Sequence, residues 1–333
     1  GEIEKAEGYL RERVSLDDGS STAQLELIRF LAQRVSVQTA LDQVDSFLQD
    51  GSGSEPLLRS VRAGLRFDSG EREAAIVAME DILSTAEPSE ETDRIKIALA
   101  QMLMVTGNSV GARARIEEVL SHDPSQVQAL KMKARWLIED DRTGDAMVDL
   151  RLALDQKPRD AEALSLMALA HERAGNRDLM GEMLALAVEA SRSGVAETQQ
   201  YTRYLVQEGK YLSAEEVLQD SLRLQGSNAN LLAALGNVYI RMDDWPRAQH
   251  VIDTLARRDD EASQALANEL TARKLAGQNR EQELMSFLGA LESGGQSAQQ
   301  ATASIVRMHM QSGDTEEALA HVQARLAENP DDQ

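Results

Sequence analysis

A turn residue that returns every 34 positions constrains this chain more than any other feature. In the segment VTGNSVGARARIEEVL the turn falls at Gly107, and it recurs at Asp141, Gly175, Gly209 and Asp243, each 34 residues after the last. Asn279 follows after 36 and Gly313 after another 34. Upstream, Gly70 stands 37 residues before Gly107, and a weaker turn at Val35 lies another 35 before that. A period this long, held over most of 333 residues, fits a solenoid of stacked units and not two or three separate globular domains.

Each period reads as two helices. In residues 127–157, Leu130, Ala134 and Leu137 lie at i, i+4 and i+7, on one helical face. A turn at Asp140-Asp141 follows, then Ala146, Leu150, Ala153 and Leu154 form a second apolar face. Pro158 closes the unit, because proline cannot continue a helix interior. Gly, Asp and Asn suit the turn because they tolerate the left-handed conformation that ends a helix. Small residues give the register. Seven residues before successive turns stand Ala63, Ala100, Ala134, Ala168, Thr202, Gly236, Ala272 and Val306. Five residues after them stand Ala40, Ala75, Ala112, Ala146, Met180, Ala214, Ala248, Leu284 and Ala318. Two helices approach closely only where facing side chains are small, so these positions predict tight antiparallel hairpins.

These residues resemble the tetratricopeptide repeat (TPR) family, a degenerate 34-residue pattern of two helices. The clearest copy is Leu235-Gly236, Tyr239, Asp243-Asp244-Trp245, Ala248 and Ile252; another is Leu99-Ala100, Leu103, Gly107, Ala112, Ile116, Val119-Leu120 and Pro124. Val35, Met180 and Leu284 depart from the pattern, as does the missing final proline of most copies. The resemblance implies an all-α solenoid, a right-handed superhelix of about nine and a half repeats. Residues 1–20 are expected to be the second helix of a truncated repeat. Residues 21–333 are expected to be nine repeats forming one continuous solenoid, with turns near 35, 70, 107, 141, 175, 209, 243, 279 and 313. Residues 2–14 show second-helix spacing with no first helix before them, so the protein is expected to continue upstream. Seams between hairpins are expected at 51–54, 87–90, 192–194 and 293–295.

Composition narrows function. With 35 basic and 56 acidic residues the formal charge is −21, which repels nucleic acid and anionic lipid. Without cysteine there is no disulfide, thiolate zinc site or cysteine nucleophile. No stretch approaches the roughly 18 apolar residues of a membrane span. Aromatic residues make up only 3%, so the core must be built from Ala, Leu, Val and Met.

The five histidines, His122, His171, His250, His309 and His321, form no metal-binding spacing. His171 and His309 fall at a repeat-core position. Phosphate loops, dinucleotide fingerprints and nucleophile elbows are missing from the sequence. The Asp141–Asp145 stretch lacks the glycine and distal glutamate of a calcium loop. No catalytic residue, cofactor or metal site is therefore expected.

What remains is the inner surface. In the TPR family the first helices line a concave groove. By that resemblance the lining residues here are Arg94, Gln101, Lys131, Arg135, Glu139, Ser165, Glu172, Gln199, Arg203, Asn237 and Arg241. This polar, partly cationic stripe suits a peptide or protein partner with an acidic segment. Lys131 and Arg135 match the last pair of the two-carboxylate clamp found in one TPR subgroup. Ser60 and Gly64 replace its earlier Lys and Asn, so that assignment fails. The expected function is a non-enzymatic interaction scaffold, and a looser resemblance to bacterial envelope TPR lipoproteins implies a periplasmic or envelope-anchored setting in secretion, export or sorting. One alternative is an accessory region of a glycosyltransferase or peptidase whose catalytic domain lies outside this chain. The other is a cytoplasmic peptide-binding adaptor.

Overall fold

The computed structural model describes residues 2–16 and 21–293, with isolated helical positions between 302 and 322. The predicted turn at Gly313, His309 and most of the ninth predicted repeat lie outside the described residues. Every regular element among the described residues is an α-helix. Two compact units are present: residues 1–158 with 169–175, and residues 159–168 with 176–333.

The first unit runs through α1 (Glu2–Leu16), α2 (Ser21–Arg34), α3 (Val37–Gln49), α4 (Glu55–Asp68), α5 (Arg72–Ser84), α6 (Glu90–Val105), α7 (Ser109–His122), α8 (Val127–Glu139) and α9 (Thr143–Gln156). Residues of α10 (Ala161–Arg173) fall in both units. The second unit continues with α11 (Arg177–Ala190), α12 (Val195–Gln207), α13 (Tyr211–Gln225), α14 (Ala229–Arg241), α15 (Trp245–Ala256), α16 (Glu261–Gly277) and α17 (Glu281–Ser293). Within each unit, a helix packs on the next in the chain. Some first helices also pack on the first helix of the following hairpin, as α4 does on α6 and α14 on α16.

The hairpins are closed by one repeated device. Gly70, Gly107, Gly175 and Gly209 take positive φ, and so do Asp141, Asp243 and Asn279, with φ of 55–57°. The next residue then donates its backbone N–H to a carbonyl five residues back. Arg142 bonds to Leu137 at 2.7 Å, Lys210 to Leu205 at 2.8 Å and Asp244 to Tyr239 at 2.9 Å. This reversed turn satisfies orphan carbonyls at the helix end. Val35 does not take positive φ, although Ser36 still bonds to Leu31 at 3.0 Å. The following helix is then started by the Ser36 side chain, which accepts from the Thr39 N–H.

The small positions are buried. Ala40, Ala112, Ala146, Ala214 and Ala248 are inaccessible, as are Ala100 and Ala134 opposite the turns. At Gly236 a Cβ atom would stand 2.7 Å from Leu270 Cδ1 of α16 and 3.2 Å from Val251 Cγ1 of α15. A side chain at this position would require the tips of Leu270 and Val251 to shift. Met180, which departs from the small-residue pattern, is also buried. Its neighbour Gly181 compensates: the Tyr204 ring of α12 lies where a Cβ would be, 2.5 Å away. Volume lost at one position is thus regained at the next, keeping the core close-packed.

Candidate peptide-binding face

In the second unit, α12, α14 and α16 are the first helices of successive hairpins, and they pack side by side. Residues six positions before each turn therefore form a row across them: Arg203, Asn237 and Arg273. Two members touch, since Arg273 Nη1 donates to Asn237 Oδ1 at 2.8 Å. The amide of Asn237 is held by its own Nδ2, which donates to the Ala233 carbonyl at 3.1 Å. Arg273 also pairs with Glu269, one turn earlier on α16. Arg203 and Arg241 are exposed, and neither forms an ion pair among the described residues. Gln199 is half-buried on α12.

This row is locked in place from behind. The Arg247 guanidinium lies 4.4 Å above the centre of the Tyr239 ring. It pairs with Asp244 at 2.6 Å and with Glu215 at 2.5 Å. The Tyr239 hydroxyl reaches Glu215 at 3.2 Å, so α13, α14 and α15 share one polar knot. Burial pushes the Tyr239 phenol above its ordinary pKa, and the nearby Glu215 carboxylate adds to this. Hydrogen bonds from Arg247 hold the Asp244 carboxyl below the usual range.

The first unit treats its predicted residues differently. Arg94 and Gln101 on α6 are exposed, and Arg94 sits 3.6 Å from Glu90 one turn away. Such exposed pairs along a helix contribute little. Arg135 and Glu139 are exposed on α8, and Glu172 is exposed on α10. Lys131, expected to line the inner surface, is only 7% exposed. Ser165 on α10 is half-buried. The row on α12, α14 and α16 lies in the second unit, and the residues on α6 and α8 lie in the first.

Sequence reasoning missed Arg273. Its position was legible, six residues before Asn279, but Leu284 and the 36-residue spacing blurred that copy. It also missed the pair between α6 and α7, where buried Asp93 Oδ2 meets His122 Nδ1 at 2.6 Å. Buried His171 takes the repeat-core place expected for it. Among the described residues no group of three or more His, Cys, Asp or Glu could hold a metal. No helix among them is long and apolar enough to cross a membrane.

Residues 205–273, which span much of this row, match the sequence model of the tetratricopeptide repeat family. No curated protein sequence matches the chain. Among solved structures, a tetratricopeptide repeat protein from Parabacteroides merdae superposes with a TM-score of 0.51 at 16% identity, covering 74% of this chain and 96% of that one. PilF of Pseudomonas aeruginosa gives a TM-score of 0.51 at 18% identity, covering 66% of this chain and 97% of that one. PilW, a widely conserved type IV pilus biogenesis factor, gives 0.52 at 14% identity, covering 64% and 99%. The stacked hairpins and their turn chemistry give the chain a fold similar to that of tetratricopeptide-repeat proteins, and residues 205–273 match that family's sequence model.

Proposed function

We propose that the chain is a non-enzymatic protein-interaction scaffold. Its partner is a peptide or protein segment bearing acidic groups, bound along the first-helix face of the second unit. The observation that carries this reading is the row Arg203, Asn237 and Arg273 on three adjacent helices, with Arg241 beside it. Two of these cations have no ion-pair partner among the described residues, although the chain as a whole carries −21. Carboxylates meeting guanidinium groups would form charge-assisted hydrogen bonds, each contributing about 1.5–3 kcal/mol when well made. We further propose a bacterial envelope setting, on the strength of the resemblance to envelope repeat proteins alone. Fractionation of the source cells tests that setting, and recovery in the cytoplasm would overturn it.

The binding test is a titration with a fluorescent Glu-rich peptide at low salt. Arg203→Glu combined with Arg241→Glu should weaken binding more than tenfold with helicity unchanged. The control reverses Arg142 and Arg159, which flank the helices and pair with Asp145 and Glu189. Equal damage from the control, or binding insensitive to salt, would sink the groove reading.

A further inference from the structure

We propose that the outward ridge of α11 is a second docking surface, one that takes a cationic amphipathic helix. Leu179, Met183 and Leu186 lie at i, i+4 and i+7, within about 60° of one another around the helix axis. Leu179 is 42% exposed and Leu186 44% exposed, while Met183 is half-buried against the core. The core-facing side of the same helix is fully used by Met180, Leu184 and Ala187. The ridge is therefore a second apolar stripe, beyond what the fold needs. On α13, by contrast, the exposed Leu212 and Leu224 stand twelve residues apart and make no stripe.

The charges beside the ridge choose its occupant. Asp178, Glu182 and Glu189 all fall along one flank, roughly 60–100° round the helix from Leu179. Glu189 pairs with Arg159, and the nearby Arg177 is engaged by Glu208. Asp178 and Glu182 are exposed and form no ion pair among the described residues. The Tyr204 phenol behind them lies above its ordinary pKa, first because it is buried and then because Glu208, Asp178 and Glu182 surround it. A docked helix with a leucine stripe and a lysine or arginine flank would cover the ridge and neutralise the two carboxylates. A second copy of this ridge would instead bring a like acidic flank, on a chain already at −21. This surface is distinct from the arginine row, which favours ligands of the opposite charge.

The probe is a fluorescent peptide of about 14 residues with leucine at helical spacing and lysine elsewhere, beside a matched peptide with glutamate for lysine. With the full chain at low salt, Leu179→Ser combined with Leu186→Ser should weaken the lysine peptide at least tenfold. Asp178→Asn with Glu182→Gln should weaken it severalfold, and this loss should vanish in high salt. Hydrogen exchange should slow in residues 177–190 when the peptide binds. Val77→Ser with Val148→Ser, exposed valines on other helices, should change nothing. Equal loss in that control, equal binding of the glutamate peptide, or protection on α12, α14 and α16 instead would overturn the proposal. So would a dimer in light scattering that the Leu179 and Leu186 substitutions dissolve, because the ridge would then belong to a second copy.

Discussion

Two glycines of the second unit are closely overhung by side chains of neighbouring helices, in opposite ways. At Gly236 the missing side chain stands at the small position the repeat prescribes, seven residues before a turn. The tips of Leu270 and Val251 close over it. At Gly181 the prescribed small position, one residue earlier, is filled by Met180, and glycine appears next door to admit the Tyr204 ring. The first site follows the pattern and the second repairs a breach of it. What the repeat conserves physically is the volume between helices, and the residue that supplies the gap can move.

The contrast can be broken most forcefully at Gly236. Gly236→Leu should cost about 3 kcal/mol in chemical denaturation, because a buried leucine must displace the Leu270 and Val251 side chains packed over this position. If it melts with the parent, the packing of Leu270 and Val251 over Gly236 is wrong. Gly181→Ala should cost less, about 1–2 kcal/mol, since alanine's helix propensity offsets part of the clash. Pairing it with Tyr204→Leu tests the repair directly. The double variant should be more stable than additivity predicts by at least about 0.5 kcal/mol, and strict additivity would show that ring and glycine do not interact.

Capping sharpens the comparison further. The α14 helix begins at Asn228, whose side chain accepts from the N–H groups of Asn230 and Leu231. The α12 helix begins at Gly194 with no such side chain. Asn228→Ala should therefore cost about 1 kcal/mol, measured by denaturant midpoint. The smallest effect is electrostatic. Tyr204 and Tyr239 both have folded pKa values raised by burial, so the folded state keeps protons that the unfolded state releases. Their contribution is intact below about pH 10 and declines as pH rises above it. Tyr239→Phe should flatten that alkaline decline, and an unchanged slope would remove Tyr239 as its source.

The hairpins were legible because turn and packing residues recur in sequence. Gly107, Asp141 and Asp243 mark left-handed turns by residue type alone, and Ala112 or Ala146 can face a neighbouring helix only if buried. The burial of Lys131 was not legible because exposure depends on what packs over a residue, which no local pattern encodes. A lysine stem is long and apolar enough to be covered while its head finds a partner. Arg273 escaped because one irregular spacing hid its kinship with Arg203 and Asn237. The Asp93–His122 contact joins the first turn of one helix to the last turn of the next. It appears only when the hairpin is folded.

Among the described residues the main helix contacts join neighbouring hairpins, and this has a mechanical consequence. A force pulling on the ends of the second unit is borne in series, since neighbouring hairpins carry the whole load one after another. Rupture should then proceed in steps, each releasing about 34 residues, or on the order of 110–120 Å of extended chain before the folded length is subtracted. Between steps the remaining hairpins stay intact. The array would yield as a graded spring, and a bound partner spanning two hairpins would set where the first step falls.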